Sequence, residues 1–283
     1  HTLKNKIDFF VFAGDAFKTR EPSPTQQREF AKRIKKVAAT NIPVIMVIGN
    51  HDLPNASSKA DSLDIYKTLT VDNVYISQKP ELLNFAKSKQ GWKLAGSKSK
   101  GQKLQIATLP WITRNELATK EDYQSKTIEE VHQLMTKELA GIVKNLAQKI
   151  TKKDPAILAA HASVAGASFG AERKVYIGND VILPQNVLGK PWNYVALGHL
   201  HQHQVLKKDP PVIYSGSIER VDFGEAKEEK GFVVAEIAAQ KKTKYEFIST
   251  PARKFIDISI SLTEKDKNPT EKVCAAIAKH QLK

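Results

Sequence analysis

An α/β fold organised around parallel strands is what this sequence predicts, and two observations carry that reading. Ile7 to Ala13 (IDFFVFA) and Pro43 to Ile48 (PVIMVI) are near-continuous apolar runs, the mark of strands buried on both faces. Between them Ser23-Pro24 reads as a helix start, with Pro at the first helical position. Phe30, Ile34, Val37 and Ala38 then recur at helical spacing. Strand, helix, strand is a βαβ unit with a right-handed crossover and parallel strands. In open α/β sheets functional groups collect beyond the carboxyl ends of strands. The two runs end in Gly14-Asp15 and Gly49-Asn50-His51-Asp52.

The remaining elements follow in order. Residues 59–70 read as a short helix, and Lys103 to Leu109 as a strand closed by Pro110. From Thr127 to about Ile150, Ile128, Val131, Leu134, Met135, Leu139, Ile142, Val143 and Leu146 form one stripe of a long amphipathic helix. Ala156 to Ala160 is a short buried strand ending in His161. Residues 162–190, which carry Gly166, Gly170, Gly178 and Pro184, read as a long functional loop or flap. Tyr194 to Leu197 is a strand ending in Gly198-His199-Leu200-His201. Short strands follow at 212–214, 231–237 and 243–248. Pro251-Ala252-Arg253 reads as a linker, Phe255 to Leu262 as an alternating strand and Pro269 to His280 as a helix. One strand and one helix make no core alone, so 251–283 is expected to begin a second domain after a first one over 1–250.

Composition narrows the class. At 283 residues and 41% hydrophobic, the chain can bury a sizeable core. No apolar stretch reaches the roughly 18 to 20 residues a membrane-spanning helix needs. A single cysteine, Cys274, excludes an internal disulfide and a cysteine-based zinc site and fits a reducing, cytoplasmic setting. The 44 Lys and Arg against 30 Asp and Glu leave a net charge of +14, compatible with a polyanionic partner such as nucleic acid. The chain opens at His1 with no signal-peptide pattern before its first strand, and is read as lacking a preceding segment.

The strand ends deliver Asp15, Asn50 with His51, His161, and His199 with His201. Imidazole with carboxylate oxygen is the ligand set of borderline divalent metals such as Mn²⁺, Fe²⁺ and Zn²⁺. A carboxylate can bridge two cations, and two metals roughly 3.5–4 Å apart suit in-line attack of hydroxide on phosphorus. A lone Gly-Asp after a strand is usually a turn and a lone His usually structural. Asn-His-Asp after a buried strand has no structural reason to be there, and the pieces occur in order, each after its own strand. His203 continues the alternation of His199 and His201 and could line the rim. His132 lies off its helix's apolar stripe and reads as solvated.

Gly14-Asp15, Gly49-Asn50-His51-Asp52, His161 and Gly198-His199-Leu200-His201 resemble the later motifs of the calcineurin-like metallophosphoesterases. Tyr194 to His199, the stretch Tyr214-Ser215-Gly216-Ser217-Ile218-Glu219-Arg220-Val221-Asp222-Phe223-Gly224-Glu225 with Lys230-Gly231-Phe232, and Ala252-Arg253 resemble the SbcD-type DNA double-strand-break repair nucleases within that superfamily. The resemblance implies a four-layer sandwich, two central β-sheets flanked by helices, plus the start of a small α/β DNA-capping domain. It implies two divalent metal ions, Mn²⁺ first, with Fe²⁺, Zn²⁺ or Mg²⁺ as alternatives. Asp15, Asn50, His161 and His199 would hold one ion. Asp15 and His201 would help hold the other, together with an Asp-x-His that does not precede Asp15 in this sequence, which implies weak catalysis by the chain as written. His51 corresponds to the non-ligand catalytic histidine that assists the leaving oxygen or orients the phosphate. Asp52, adjacent, is the carboxylate candidate to hold its ring. The implied partners are DNA and an SbcC-type ATPase, in a homodimer with no membrane association.

The expected function is therefore a metal-dependent DNA exonuclease/endonuclease subunit. Two other readings stay open: a metallophosphoesterase for a small phosphodiester or a phosphoprotein, and a non-catalytic DNA- or ATPase-binding scaffold.

Overall fold

A computed structural model of the chain describes residues 1–55, 59–95, 99, 101–168, 180–239 and 241–280. Two sheets lie back to back. The smaller has three parallel strands, β1 (Phe10–Phe12), β2 (Val44–Val47) and β3 (Val74–Ser77), in that spatial order. The larger has seven, in the order β11-β12-β10-β7-β6-β4-β5. These are β4 (Glu81–Ser88), β5 (Gly91–Leu94), β6 (Lys103–Leu109), β7 (Ala156–His161), β10 (Tyr194–Gly198), β11 (Gln204–Lys208) and β12 (Pro211–Tyr214). Its centre, β6, β7, β10 and β12, is parallel; β4, β5 and β11 run antiparallel at its edges.

Alternation along each strand assigns one face to each neighbour. Ile45 and Val47 of β2 meet Phe85, Ile106, Ile157, Ala159 and Ile213 of the large sheet in an inter-sheet core. Val44 and Met46 point the other way, onto Ile34 and Ala38 of α1 (Pro24–Ala38) and Tyr66 of α2 (Asp64–Thr68). On the far face of the large sheet, Ala107, Leu109, Leu158 and Ala160 pack on Val131, Met135, Leu139, Val143 and Leu146 of α5 (Ile128–Gln148). Each fully buried Val, Leu, Ile, Met or Phe among these contributes about 1.5–3 kcal/mol relative to exposure. The layers are helix, sheet, sheet, helix, in agreement with the predicted sandwich.

Capping explains where the main helices begin. Ser23 and Gln26 form a reciprocal capping box at α1, and Thr127 and Glu130 form another at α5. The short helices α3 (Arg114–Leu117) and α4 (Lys120–Ser125) each carry a capping box too. The strands β3, β4 and β5 escape the sequence reading, because Val74 to Leu94 is only partly buried and its apolar residues do not form one continuous run.

Residues 162–190 include β8 (Ser163–Val164), β9 (Ile182–Leu183) and a 3₁₀ turn at Gln185–Leu188; the rest of the expected flap, 169–179, lies outside the described residues. The hairpin of β13 (Gly231–Glu236) and β14 (Lys244–Ser249) adds Val233, Ala235 and Tyr245 to the inter-sheet core. The C-terminal helix α6 (Pro269–Ala278) is present. The expected strand at 255–262 is not: residues 251–263 have no regular secondary structure. Alternation alone makes no strand when no neighbouring edge supplies a hydrogen-bond ladder.

Candidate metal centre

The carboxyl ends of β1, β2, β7 and β10 converge where the two sheets meet, and each delivers one of the predicted residues. Gly14 and Gly198 are required by close approach. A Cβ on Gly14, whose φ is +95°, would overlap the His161 ring, and one on Gly198 would overlap the Ala13 carbonyl oxygen. That carbonyl accepts a hydrogen bond from His161 Nδ1 at 2.7 Å, joining the last turn of one sheet to the other. Asp15 (φ 57°) and His199 (φ 102°) both lie in the left-handed region without being glycine. Such backbone costs on the order of 1–3 kcal/mol per residue and concentrates at functional sites.

Four electron-pair donors meet here. Asn50 Oδ1 lies 3.0 Å from His161 Nε2 and 3.1 Å from His199 Nδ1, and Asp15 Oδ2 lies 3.2 Å from His161 Nε2. Ligand atoms of Asp15, His161 and His199 all fall within 4.8 Å of one another. The outer bonds decide which nitrogens face inward. His161 gives its Nδ1–H to Ala13, and His199 gives its Nε2–H to Asp180 Oδ2 at 2.9 Å. In the neutral rings the lone pairs therefore sit on His161 Nε2 and His199 Nδ1, both turned to the Asn50 oxygen. Two imidazole nitrogens, an amide oxygen and a carboxylate oxygen, all acceptors, repel one another unless a cation or a proton sits between them. The donor set fits a divalent ion such as Mn²⁺, Fe²⁺ or Zn²⁺.

Charge reinforces the arrangement. Burial works to raise the Asp15 carboxyl, but the charge and hydrogen bond of His161 and the His51 backbone N–H outweigh it and hold it at about 2. His161 is fully buried, which disfavours its charge, yet Asp15 draws its pKa above the ordinary value. When His161 is protonated, the proton on Nε2 sits where the cation would.

Asp52 does something other than hold the His51 ring. Its buried carboxylate accepts the backbone N–H groups of Asp15 (2.8 Å), Gly49 (2.9 Å) and Ala16 (2.9 Å), and the Ser62 hydroxyl at 3.3 Å. Among the described residues no hydrogen bond joins it to the His51 imidazole. The tight turn after β2 aims the side chain back at the backbone, so Asp52 ties together the two loops that carry Asp15 and Asn50. Burial, with the neighbouring Asp15 charge, pushes its carboxyl up to about 6 against the pull of those amides.

His51 gives its backbone N–H to Asp15 Oδ1 at 2.8 Å and keeps a half-buried ring at the edge of the cluster. Burial pushes its pKa down, against the attraction of Asp15. His201 stands apart from the inner group and engages Glu225 Oε1 through Nδ1 at 2.8 Å. His203 is not at the rim: it stacks on Phe247 at 4.1 Å and bonds the Tyr214 carbonyl. His132 is half-buried against Arg114, whose Nη2 lies 2.8 Å from its Nε2.

Three contributors were not singled out from sequence. Asp180 orients His199 and is itself held by Ser163 Oγ at 2.6 Å. Trp111 packs its ring 4.9 Å from His199 and 6.0 Å from His161. Glu225, at the end of the Tyr214 to Glu225 stretch, holds His201. An Asp or Trp without a motif around it carries no sequence signal of such duty.

A family model of calcineurin-like phosphoesterases matches residues 1–203 of the chain. The chain belongs to the calcineurin-like phosphoesterase family. The match takes in every strand end described above, from Asp15 to His201, and the family is hydrolytic and metal-dependent. Among the described residues of this phosphoesterase, no helix is long and apolar enough to cross a membrane.

Proposed function

We propose that this phosphoesterase cleaves DNA phosphodiester bonds, as an SbcD-type nuclease subunit. The observation that carries the reading is the acceptor cluster of Asp15, Asn50, His161 and His199 beside the Tyr214 to Phe232 stretch. Phosphoester hydrolysis follows from the first, and the likeness to DNA repair nucleases rests on the second. A divalent ion bound there supplies Lewis-acid polarisation of a phosphoryl oxygen and a nucleophile at neutral pH. The chain's own part is geometric and electrostatic. Asp180 and Ala13 hold the two rings in their acceptor tautomers, and Asp52 locks the loops of Asp15 and Asn50. His51, kept neutral by burial at pH 7, presents an N–H to a phosphate or leaving oxygen.

The net charge of +14 supports a polyanionic substrate, held by phosphate contacts whose affinity falls with salt. In this reading DNA is the substrate, an SbcC-type ATPase the partner, and Mn²⁺ the working metal. The test is cleavage of linear duplex DNA, a small phosphodiester and a phosphomonoester by the full chain with Mn²⁺, with His161→Ala as control. Salt-sensitive duplex cleavage lost in the control supports the proposal. Turnover of the monoester alone, with DNA untouched and unbound at low salt, would overturn it in favour of a small-substrate phosphoesterase.

A further inference from the structure

Beside the metal cluster lies a second polar assembly that the hydrolytic chemistry does not use. Glu225 is 1% exposed and Lys230 is 2% exposed, and Lys230 Nζ contacts Glu225 Oε2 and Glu228 Oε2, both at 2.7 Å. The Val221 backbone N–H also reaches Glu225 Oε2, at 3.0 Å. One carboxylate oxygen is thus occupied by an ammonium and an amide. The other, Oε1, meets His201 Nδ1 at 2.8 Å. Lys230 further donates to the His201 carbonyl at 3.1 Å, so the same pair grips backbone and ring of one residue.

The turn carrying Glu225 is itself stapled. The Arg220 guanidinium donates to the carbonyls of Glu225 (3.2 Å), Ala226 (3.3 Å), Glu228 (2.7 Å) and Arg253 (2.7 Å). Gly216, at φ +78°, lets the chain after β12 pass so close to His201 that a Cβ would fall 2.8 Å from the His201 carbonyl. This is a rigid support built around one side chain.

We propose that Glu225 is a positioning residue that fixes His201 as the Nδ1–H tautomer, the reverse of the tautomer Asp180 imposes on His199. An ionised carboxylate can only accept, so the ring nitrogen facing Glu225 must carry the hydrogen. The lone pair of neutral His201 is then on Nε2, the far nitrogen, whereas that of His199 is on Nδ1, the near one. Two histidines two residues apart thereby offer electron pairs at different reach, which no single strand alternation would give. Lys230 serves as the counter-charge that keeps Glu225 ionised out of water, since a buried carboxylate is retained only when paired and hydrogen-bonded. The use of His201 in hydrolysis rests on the phosphoesterase reading; the tautomer belongs to the chain alone and is independent of the substrate.

The experiment is ¹⁵N NMR of imidazole-labelled full chain, kept metal-free with chelator at about pH 8.5, above the ordinary imidazole range. His201→Gln assigns the signal. The expected wild-type pattern is a protonated Nδ1 and bare Nε2 on His201, with the opposite pattern on His199. In Glu225→Met/Lys230→Met, which removes both charges together, His201 should lose its fixed Nδ1–H pattern while His161, held by Ala13, keeps its own. Glu225→Gln/Lys230→Met retains a carbonyl acceptor and should restore the wild-type pattern. A wild-type His201 carrying Nε2–H, or a Met/Met pattern identical to wild type, would overturn the proposal. The wild-type spectrum alone decides the first point, whether or not the variants fold. Neither outcome depends on whether DNA is cleaved.

Discussion

Replacing Asp52 with Ala removes the acceptor that binds the Asp15 and Asn50 loops together. Three backbone N–H groups lose their partner. Each orphaned donor costs about 1–3 kcal/mol where it is buried, as at Gly49, and less at the part-buried Asp15 and Ala16 amides, so about 9 kcal/mol is the upper bound of the loss. One term opposes it. With its pKa raised from 3.8 to about 6, the ionised carboxylate is itself penalised by burial at neutral pH, by about 3 kcal/mol. The donors outweigh that relief, and the net expectation at pH 7.5 is destabilisation of about 3 kcal/mol. The sign with pH follows from the raised pKa. Asp52 contributes stability that is complete below its unfolded value and lost as pH rises through about 6. The penalty of Asp52→Ala should therefore grow as pH falls from 7.5 to 4, by up to about 3 kcal/mol. Urea unfolding of the metal-free chain measures it as a shift in midpoint at constant slope. A variant as stable as wild type, or a penalty that shrinks in acid, would refute the reasoning. A loss of turnover with stability and metal uptake both intact would instead return Asp52 to the role of holding His51.

Three other outcomes are expected. His51→Ala should keep metal uptake near wild type yet lower hydrolysis by about 10² to 10⁴, the usual range for a proton-transfer group, whereas His199→Ala should lose uptake; equal loss in both, by metal analysis, makes His51 a ligand. Because Asp15 raises the pKa of His161, a proton competes for the site; metal affinity by titration calorimetry should fall as pH drops through neutral, with proton release on binding, and affinity independent of pH would contradict this. Asp15 and Glu225, both held at about 2, contribute stability present above ordinary carboxylate values and lost as pH falls toward 2; in the Glu225→Gln/Lys230→Met variant the acid unfolding transition, followed by circular dichroism, should lose part of its steepness.

What was legible in the sequence were features with strong local signals. Runs such as PVIMVI are buried on both faces, and Ser23-Pro24 or Thr127 with Glu130 announce helix starts by capping chemistry. Gly-Asn-His-Asp and Gly-His-Leu-His stand at strand ends and come together in space. Partly buried β3 to β5 left no such trace. The alternation at 255–262 suggested a strand, but pairing is non-local and depends on an edge the sequence does not reveal. The same limit hid the partners of the site. Asp180 reaches His199 from 19 residues earlier and Glu225 reaches His201 from 24 residues later, so only the folded chain shows which carboxylate orients which ring. Adjacency misled at Asp52, where the nearest side chain in sequence is not its partner in space.

The central claim is that Asp15, Asn50, His161 and His199 hold a divalent ion in this chain. Equilibrium dialysis against Mn²⁺ at pH 8, with metal content read by mass spectrometry, tests it most directly for wild type, Asn50→Ala and His161→Ala. At least one tightly held ion per wild-type chain is expected, with loss of that ion in both variants and their far-ultraviolet circular dichroism unchanged. Mn²⁺ no higher in wild type than in a metal-free control protein, or equal in wild type and His161→Ala, would contradict it.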